Sequence, residues 1–331
     1  MKKYSQLRFD PISKDWVIIA SNRSGRPKSF KKNGRESLFK KIFPQKYCPF
    51  CNLKEQEKPV LIYPKGNPGK WSLAVIPNKY PALFPYGDLT EKKRGPYRYL
   101  KGVGFHEVVV TRSHRKDFSQ LPIDKIIEVF SAYQERYLEL KEEKVVNYIF
   151  IFHNHGNKAG ATISHPHSQI VGIPVIDSDV RNYLLGSEKY WREKKKCIHC
   201  SIINWEKKEK ERIVWENDKF IAFCPFAYRM PFTVRIYPKS HLSYFEEIKD
   251  KKSLAEIFSQ VLTKMRRGLK KPDYNFFLRT SPSDGGDYSY YHWHFEIIPR
   301  ISHQIGGLDL GAGIEIPTIK PKEAALHLRK L

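Results

Sequence analysis

The chain has 331 residues and a formal net charge of +24 at pH 7, from 59 Lys and Arg against 35 Asp and Glu. Its length predicts about two domains with a substantial core, and its charge favours anionic partners such as nucleotides, sugar phosphates, nucleic acid or an acidic membrane surface. The N-terminal MKKYSQLRFDP lacks the apolar segment of a secretory signal, and no later stretch resembles a membrane span. We therefore expect a cytoplasmic protein that has no membrane partner.

The first motif along the chain is a C-x-x-C pair, Cys48 and Cys51, and a second pair occurs at Cys197 and Cys200. In a reducing compartment such pairs indicate a metal site or redox chemistry rather than structural disulfides. Cys224 lies in an apolar, strand-like run, so we expect it to be buried and inert.

A pattern of alternating elements follows the first cysteine pair. The segment FHEVVVTRSH (105–114) predicts a strand that ends near His114, and apolar residues at three- and four-residue steps predict a helix after Pro122. A strand at about 146–152 comes next. A glycine-containing loop then leads to a final strand that carries His165 and His167.

The same pattern recurs at a constant offset of 127 positions. The offset joins His114 to His241, His165 to His292 and His167 to His294. Internal duplication explains this regularity. We therefore predict an α+β fold of two related halves, residues 1–186 and 187–331, and we assign the extra residues of the first half to a surface excursion at 85–104.

Each half supplies two cysteines and two histidines at matching positions. Structural zinc sites use four tetrahedral thiolate and imidazole ligands. The first predicted site consists of Cys48, Cys51, His114 and His165, and the second of Cys197, Cys200, His241 and His292. For one half alone, a redox pair beside unrelated histidines is the alternative, but duplication of the whole set favours metal. We expect two zinc ions per chain in structural roles, with iron as an alternative at the second site.

The segment HPHSQ (165–169) gives its two histidines different roles. Residues two apart in a strand share a face. If His165 binds metal, a backbone carbonyl can hold one ring N–H of His167 while the other nitrogen keeps a lone pair for attack on phosphorus. Gln169, on the same face, can donate hydrogen bonds to phosphate oxygens. A histidine that is merely structural is the alternative reading of His167.

Only the first half is predicted to be catalytic. The second half has Glu296 where the first has Gln169, and a carboxylate there would repel a phosphate. The preceding loops also differ: Gly156 and Gly160 in the first half let backbone N–H groups approach a phosphate, whereas the second loop, SPSDGGD, is acidic.

Five segments together resemble the galactose-1-phosphate uridylyltransferases of the histidine triad superfamily. They are RFDPISKDWVIIASNRSGRP, CPFC, PNKYPAL, SHPHSQ and GAGIEI. The resemblance implies two fused histidine-triad-like halves, each an antiparallel half-barrel sheet with packed helices. It also implies a homodimer whose active sites are completed across subunits.

The resemblance further implies roles for individual residues. The second histidine of the family's H-P-H motif is the nucleophile, so His167 would carry a nucleotidyl group as a phosphoramidate and Gln169 would bind phosphate. The four residues of the first predicted site match the family's zinc ligands. The implied substrate-binding residues are Arg23, Arg26, Asn78, Asn154, Thr162, Ser164 and Glu315, the last through hexose hydroxyls.

Three functions follow as expectations. The first is exchange of UMP between UDP-glucose and galactose 1-phosphate. The second is phosphorolysis of a nucleotide sugar, as in ADP-glucose phosphorylase; the second C-x-x-C set is similar to that of such relatives. Lys79 stands where some family members have an acidic residue beside the asparagine, so the resemblance leaves the contacts to the ribose and base open. The third is a basic, zinc-stapled protein that binds RNA or nucleotides. The usual interleaved basic and aromatic motifs are missing from the sequence, so we do not expect nucleic acid as a partner.

Overall fold

The computed structural model describes residues 5–21, 45–53, 56–65, 68–301 and 307–331, which form fourteen strands and six α-helices. The strands are β1 (Gln6–Phe9), β2 (Trp16–Ile19), β3 (Leu61–Tyr63), β4 (Leu73–Pro77), β5 (Lys92–Arg94), β6 (Tyr97–Tyr99), β7 (Phe105–Thr111), β8 (Tyr148–His155), β9 (His167–Ile173), β10 (Ile213–Glu216), β11 (Phe220–Phe223), β12 (Val234–Pro238), β13 (Tyr274–Arg279) and β14 (His294–Pro299). The helices are α1 (Ile123–Leu140), α2 (Ser178–Lys194), α3 (Ile198–Glu209), α4 (Lys251–Gly268), α5 (Gly307–Ala312) and α6 (Pro321–Arg329). The predicted α+β class is confirmed.

Ten strands form one antiparallel sheet in the order β10-β11-β12-β14-β13-β8-β9-β7-β4-β3. The order is symmetrical about the contact between β13 and β8, because each half contributes five strands in the same sequence outward from that contact. The two strands pair from Tyr274 opposite His155 to Phe277 opposite Phe152. Backbone hydrogen bonds therefore join the two halves edge to edge, and each half covers a strand edge that the other would leave open.

Helices α1 and α4 cover one face of this sheet. The apolar residues of α1 recur at three- and four-residue steps, and Ile126, Phe130, Tyr133 and Tyr137 are all buried, as the sequence predicts. Phe130 packs edge-on against Phe258 of α4, with ring centroids 5.3 Å apart. Side chains alternate between the two faces of a sheet along each strand, so every second side chain of these strands points to the face that α1 and α4 do not cover.

Helix α2 packs against both halves, because its buried cluster includes Tyr148 of β8 as well as Tyr291. Its Asp177 N-cap accepts a hydrogen bond from the backbone N–H of Asp179, and its apolar side packs Tyr183 and Leu184 in one cluster with Ile12. Gly186 lies so close to the backbone carbonyl of Ile12 that a Cβ would not fit. The boundary that we place between residues 186 and 187 falls inside this helix, and the division at that point stays a prediction.

The predicted surface excursion at 85–104 is confirmed. It contains the hairpin of β5 and β6, in which every residue of both strands is exposed. At its end Gly104 has a φ of +154° and approaches the carbonyl oxygen of Gly172 too closely for a side chain. Among the described residues, the helices all lack the length and apolar character needed to cross a membrane.

Candidate active site and metal clusters

The first cluster brings together four side chains that are distant in sequence. Its members are Cys48, Cys51, His114 and His165, and one potential ligand atom from each lies within 4.8 Å of the others. Nδ1 of His165 is 3.4 Å from Sγ of Cys48 and 3.5 Å from Sγ of Cys51. Nδ1 of His114 is 3.3 Å from both Sγ of Cys51 and Nδ1 of His165.

The second cluster repeats this arrangement in the second half. Its members are Cys197, Cys200, His241 and His292. Sγ of Cys200 is 3.4 Å from Nδ1 of His241 and 3.5 Å from Nδ1 of His292. The two clusters differ in burial, since His241 is exposed whereas its counterpart His114 is buried.

Both clusters have the geometry of a metal site. A tetrahedral ion with metal–sulfur bonds of about 2.3 Å and metal–nitrogen bonds of about 2.0–2.1 Å requires sulfur–nitrogen edges of about 3.5 Å. The outer ring nitrogens are also paired, because Nε2 of His165 donates to the carbonyl of Thr111 at 2.7 Å and Nε2 of His292 to that of Pro238 at 3.1 Å. Such hydrogen bonds leave Nδ1 deprotonated toward the cluster. Each cluster can therefore hold an ion with four protein ligands.

The ring of His167 is held from two sides. Its Nδ1 donates a hydrogen bond to the carbonyl oxygen of His165 at 2.9 Å, and the ring packs against Phe50 with centroids 4.8 Å apart. Burial lowers the pKa of His167, and the hydrogen bond to His165 opposes part of that shift. The ring is therefore neutral at pH 7, with its proton on Nδ1 and its lone pair on Nε2.

The prediction that both histidines of HPHSQ lie in the strand is wrong for His165. Strand β9 begins at His167, and His165 and Pro166 belong to the preceding loop. The reason is that the carbonyl of His165 accepts its hydrogen bond from the His167 ring rather than from a neighbouring strand. Both rings nevertheless contact Phe50, His165 at a centroid distance of 5.9 Å.

Gln169 shares a face of β9 with His167, as strand alternation predicts. Its side-chain Oε1 is 2.7 Å from Nε2 of His106 on β7. Asn78, directly after β4, places its Nδ2 3.1 Å from the same nitrogen of His106. The structure thus brings Asn78 and Gln169 together through one histidine.

The other positions implied by the resemblance lie around the loop before His165. Asn154, near the end of β8, accepts a hydrogen bond from Nδ2 of Asn275 at 2.8 Å. Thr162 and Ser164 have exposed side chains in the loop itself.

Glu315 lies beside β2. Its backbone carbonyl accepts from the N–H of Ile18 at 3.0 Å, its carboxylate is 3.7 Å from Nε of Arg229, and burial raises the pKa of Glu315. Arg23 and Arg26 lie outside the described residues.

In the second half the matching histidine is closed off. His294 is 0% exposed, compared with 8% for His167, and its ring stacks on Tyr237 with centroids 4.5 Å apart. Glu296 accepts from Nε of Arg235 at 3.0 Å. The structure thus adds a reason for the predicted inertness of this half: its carboxylate is paired with a buried guanidinium and its histidine lacks an open side.

Two residues of this site were missed by the sequence reasoning. Phe50 lies between the cysteines of the first pair and contacts His167. His106 contacts Gln169, and strand alternation from Val108 places it on the same face of β7. Finding either contact requires knowing which strands and turns are neighbours in space, and a single sequence lacks that information.

Comparisons with known proteins identify the family of the chain. A family model described as galactose-1-phosphate uridyl transferase, N-terminal domain, matches residues 1–176, and a model described as a domain of unknown function matches residues 102–327. The curated ADP-glucose phosphorylase of Arabidopsis thaliana is 34% identical over 98% of this chain and 93% of that protein. The galactose-1-phosphate uridylyltransferase of Thermotoga maritima is 28% identical over 98% of each.

Solved structures give the same result. A crystal structure of an ADP-glucose phosphorylase from Arabidopsis thaliana with bound ADP-glucose has a TM-score of 0.84 and 30% identity, and 99% of each chain is covered. A structure described as uridylyltransferase has a TM-score of 0.76 and 26% identity, covering 99% of this chain and 98% of the other.

The first family model spans more than half of the chain, and the plant phosphorylase resembles it along nearly the whole length. The resemblance noted from the sequence motifs is therefore confirmed. This chain belongs to the galactose-1-phosphate uridylyltransferase family of nucleotidyltransferases.

Proposed function

We propose that this enzyme transfers a nucleotidyl group from a nucleotide sugar through a covalent intermediate on Nε2 of His167. One observation carries the proposal: the bond from Nδ1 of His167 to the carbonyl of His165, 2.9 Å long, assigns the ring proton to Nδ1. The other nitrogen then has the lone pair that a nucleophile requires. Phe50 packs against the same ring, so its orientation is set before substrate binds.

The proposed reaction has two steps. Nε2 of His167 attacks the α-phosphorus, the bond from phosphorus to the sugar-phosphate oxygen breaks, and sugar 1-phosphate leaves. An oxygen of the acceptor then attacks the same phosphorus, the nitrogen–phosphorus bond breaks, and His167 returns to its neutral form. The carbonyl of His165 accepts the Nδ1–H throughout, so it stabilises the positive charge that the ring carries while Nε2 is bonded to phosphorus.

Phosphate binding is assigned to groups around this nitrogen. Gln169, on the face of His167, would donate its amide hydrogens to non-bridging oxygens. Gly160 has a φ of +88°, a conformation that glycine adopts readily. Backbone N–H groups of this loop before His165 would approach the substrate phosphate. We keep Asn78, Asn154, Thr162, Ser164, Arg23 and Arg26 as proposed substrate contacts.

We propose zinc at both metal clusters, with iron as the alternative at the second. Two thiolates and two imidazoles form a typical structural zinc set. An ion at the first cluster would hold His165, and with it the carbonyl that orients His167. Because four protein ligands complete each site, the proposed role of both ions is structural.

Two acceptors remain for the second step. The first candidate function is exchange of UMP between UDP-glucose and galactose 1-phosphate, and the Thermotoga maritima relative is named galactose-1-phosphate uridylyltransferase. The second is phosphorolysis of ADP-glucose, and it is favoured by the 34% identity and the TM-score of 0.84 to plant ADP-glucose phosphorylases. Both share the same first step and the same nucleophile.

A homodimer is part of the proposal. The resemblance to the family implies active sites completed across subunits, and we keep Glu315, which lies beside β2 and Arg229 of its own chain, as a proposed contact to the hexose. Sedimentation of the purified protein at micromolar concentration tests this. A chain that sediments as a monomer while turning over substrate would remove the dimer from the proposal.

Labelling tests the nucleophile. The protein is incubated with UDP-glucose or ADP-glucose labelled at the α-phosphate, and acid-labile label on the protein is measured. We expect label on the wild type and on the control His327→Ala, an exposed histidine elsewhere in the fold, and none on His167→Ala. Equal labelling of wild type and His167→Ala would overturn the mechanism.

A second series of turnover assays identifies the acceptor. The two labelled donors are each combined with galactose 1-phosphate and with inorganic phosphate, and turnover is compared across the four pairs. Dominant turnover of UDP-glucose with galactose 1-phosphate assigns the first function. Dominant turnover of ADP-glucose with phosphate assigns the second.

A further inference from the structure

His106 lies next to Gln169 because of how two strands pair. Strands β7 and β9 are antiparallel, with Val108 opposite Gln169 and His106 opposite Val171. His106 is therefore a diagonal neighbour of Gln169 on the same face, within reach of a long side chain. Nε2 of His106 is 2.7 Å from Oε1 of Gln169, which is a hydrogen-bond distance.

The other ring nitrogen of His106 identifies the tautomer. The backbone N–H of Ala82 lies 3.0 Å from Nδ1 of His106. A backbone N–H can only donate, so Nδ1 is an acceptor and the proton of the neutral ring is on Nε2. Nε2–H then donates to Oε1 of Gln169. The reverse orientation of the Gln169 amide would bring two donors within 2.7 Å of each other.

The turn after β4 holds this tautomer in place. Asn78 donates its backbone N–H to the carbonyl of His106 at 2.8 Å, and its Oδ1 accepts from the N–H of Tyr80 at 2.9 Å. This Asx turn brings Ala82 to the ring. Since Oδ1 of Asn78 is occupied, the 3.1 Å approach of its Nδ2 to Nε2 of His106 is a contact between two donors; the backbone N–H of Ala82 therefore decides the tautomer.

We infer that His106 is a positioning residue that fixes the amide of Gln169 with its nitrogen end toward the substrate phosphate. A phosphate ester offers only acceptors, so an amide held this way supplies two donors and no repelling oxygen. The inference deepens the proposed function and rests on it. It adds no group that touches the substrate.

The second half lacks this pair. The residue 127 positions after His106 is Thr233, whose hydroxyl donates to the carbonyl of Met230 at 2.8 Å. The residue that matches Gln169 is Glu296, which is paired with Arg235. A carboxylate has two equivalent oxygens and needs no orienting partner. The histidine–glutamine pair thus occurs in the half whose second histidine is the less buried.

Two substitutions separate the two hydrogen bonds of His106. His106→Asn keeps a polar group at the level of Nδ1, near Ala82, but does not reach Gln169. His106→Gln extends an amide to the level of Nε2 and can still donate to Gln169. We expect the rate of nucleotidyl transfer to His167 in a single turnover to fall about 10-fold or more in His106→Asn and about 3-fold or less in His106→Gln.

A double-mutant cycle shows whether His106 acts through Gln169. In a Gln169→Ala background we expect His106→Asn to cost less than a further factor of about 2, because the residue it positions is gone. An equal loss in both backgrounds would overturn the inference while leaving the nucleophile untouched. If His167→Ala labels like the wild type, the proposed function itself fails. The variant His327→Asn is the matched control and should keep the wild-type rate.

If His106→Asn does not fold, a measurement on the wild-type protein without substrate still tests the inference. Long-range proton–nitrogen spectra of the ¹⁵N-labelled histidine side chains report which ring nitrogen carries a proton, and His106→Gln identifies the signal. We expect His106 at pH 7 to be neutral with its proton on Nε2. A proton on Nδ1, or on both nitrogens, would overturn the inference.

Discussion

The backbone carbonyl of His165 accepts a hydrogen bond from Nδ1 of His167 at 2.9 Å, while Nδ1 of His165 itself lies among the atoms of the first metal cluster. One residue thus has two structural roles. Its side chain belongs to the cluster, and its main chain orients the proposed nucleophile. A change in how the cluster holds His165 should therefore alter the orientation of His167, even when the changed residue does not contact the substrate.

This coupling predicts different effects for matching cysteines. Cys51→Ser and Cys200→Ser each remove one thiolate from a four-ligand set, so each should lose metal and unfold at a lower temperature. Only Cys51→Ser should also slow labelling of His167 per folded molecule, by about 10-fold or more, because it releases the His165 carbonyl. Metal content, thermal unfolding and single-turnover labelling check this. Equal losses of labelling rate in the two variants would contradict it.

The two clusters should also release metal at different rates. His241 is exposed whereas its counterpart His114 is buried, so water and a chelator reach the second cluster more easily. With excess chromogenic chelator we expect two phases of metal release, each close to one equivalent per chain. Cys200→Ser should abolish the fast phase and leave the slow one. Loss of the slow phase instead would assign the rates the other way.

Arg235 should be important for stability. It is buried and bonds both Asp10, at 3.1 Å, and Glu296, at 3.0 Å. Arg235→Leu leaves two buried carboxylates without the cation that hydrogen-bonds them, so we expect the free energy of unfolding to fall by about 3–5 kcal/mol. The exposed pair of Arg98 and Glu91, 3.5 Å apart, gives the control: Arg98→Leu should change it by less than about 1 kcal/mol. Urea titrations measure both, and similar effects would refute the prediction.

His153 should make the fold sensitive to acid. Burial, with the neighbouring rings of His155 and His167, holds the pKa of His153 well below its ordinary value. Below about pH 6.5 the unfolded chain therefore binds a proton that the folded chain does not, so stability falls as pH falls, by up to about 1.4 kcal/mol per pH unit from this group. His153→Asn keeps an acceptor near Ser168, which lies 3.2 Å from Nδ1 of His153. Urea titrations between about pH 7 and pH 5 should show a slope smaller by about one proton; an unchanged slope would refute the assignment.

Much of the fold was predictable because its signals are local or repeated. The burial of Ile126, Phe130, Tyr133 and Tyr137 in α1 follows from helical periodicity. The exposed excursion at 85–104 follows from comparison of the two halves. The start of β9 was missed because the carbonyl of His165 accepts a hydrogen bond from the His167 side chain instead of from a neighbouring strand. Alternation of residues along a strand does not reveal such a bond.

The sequence by itself determined the family, the duplication and the membership of both clusters, because cysteines and histidines recur at constant spacing and few other arrangements use such a set. The tertiary structure alone decided that β13 and β8 join the halves into one sheet, that His106 meets Gln169 and that Arg235 neutralises Glu296. The physical reason is that alternation along a strand assigns a residue to a face, whereas its partner depends on which strand lies beside it and in what register. Those choices follow from packing of the whole chain.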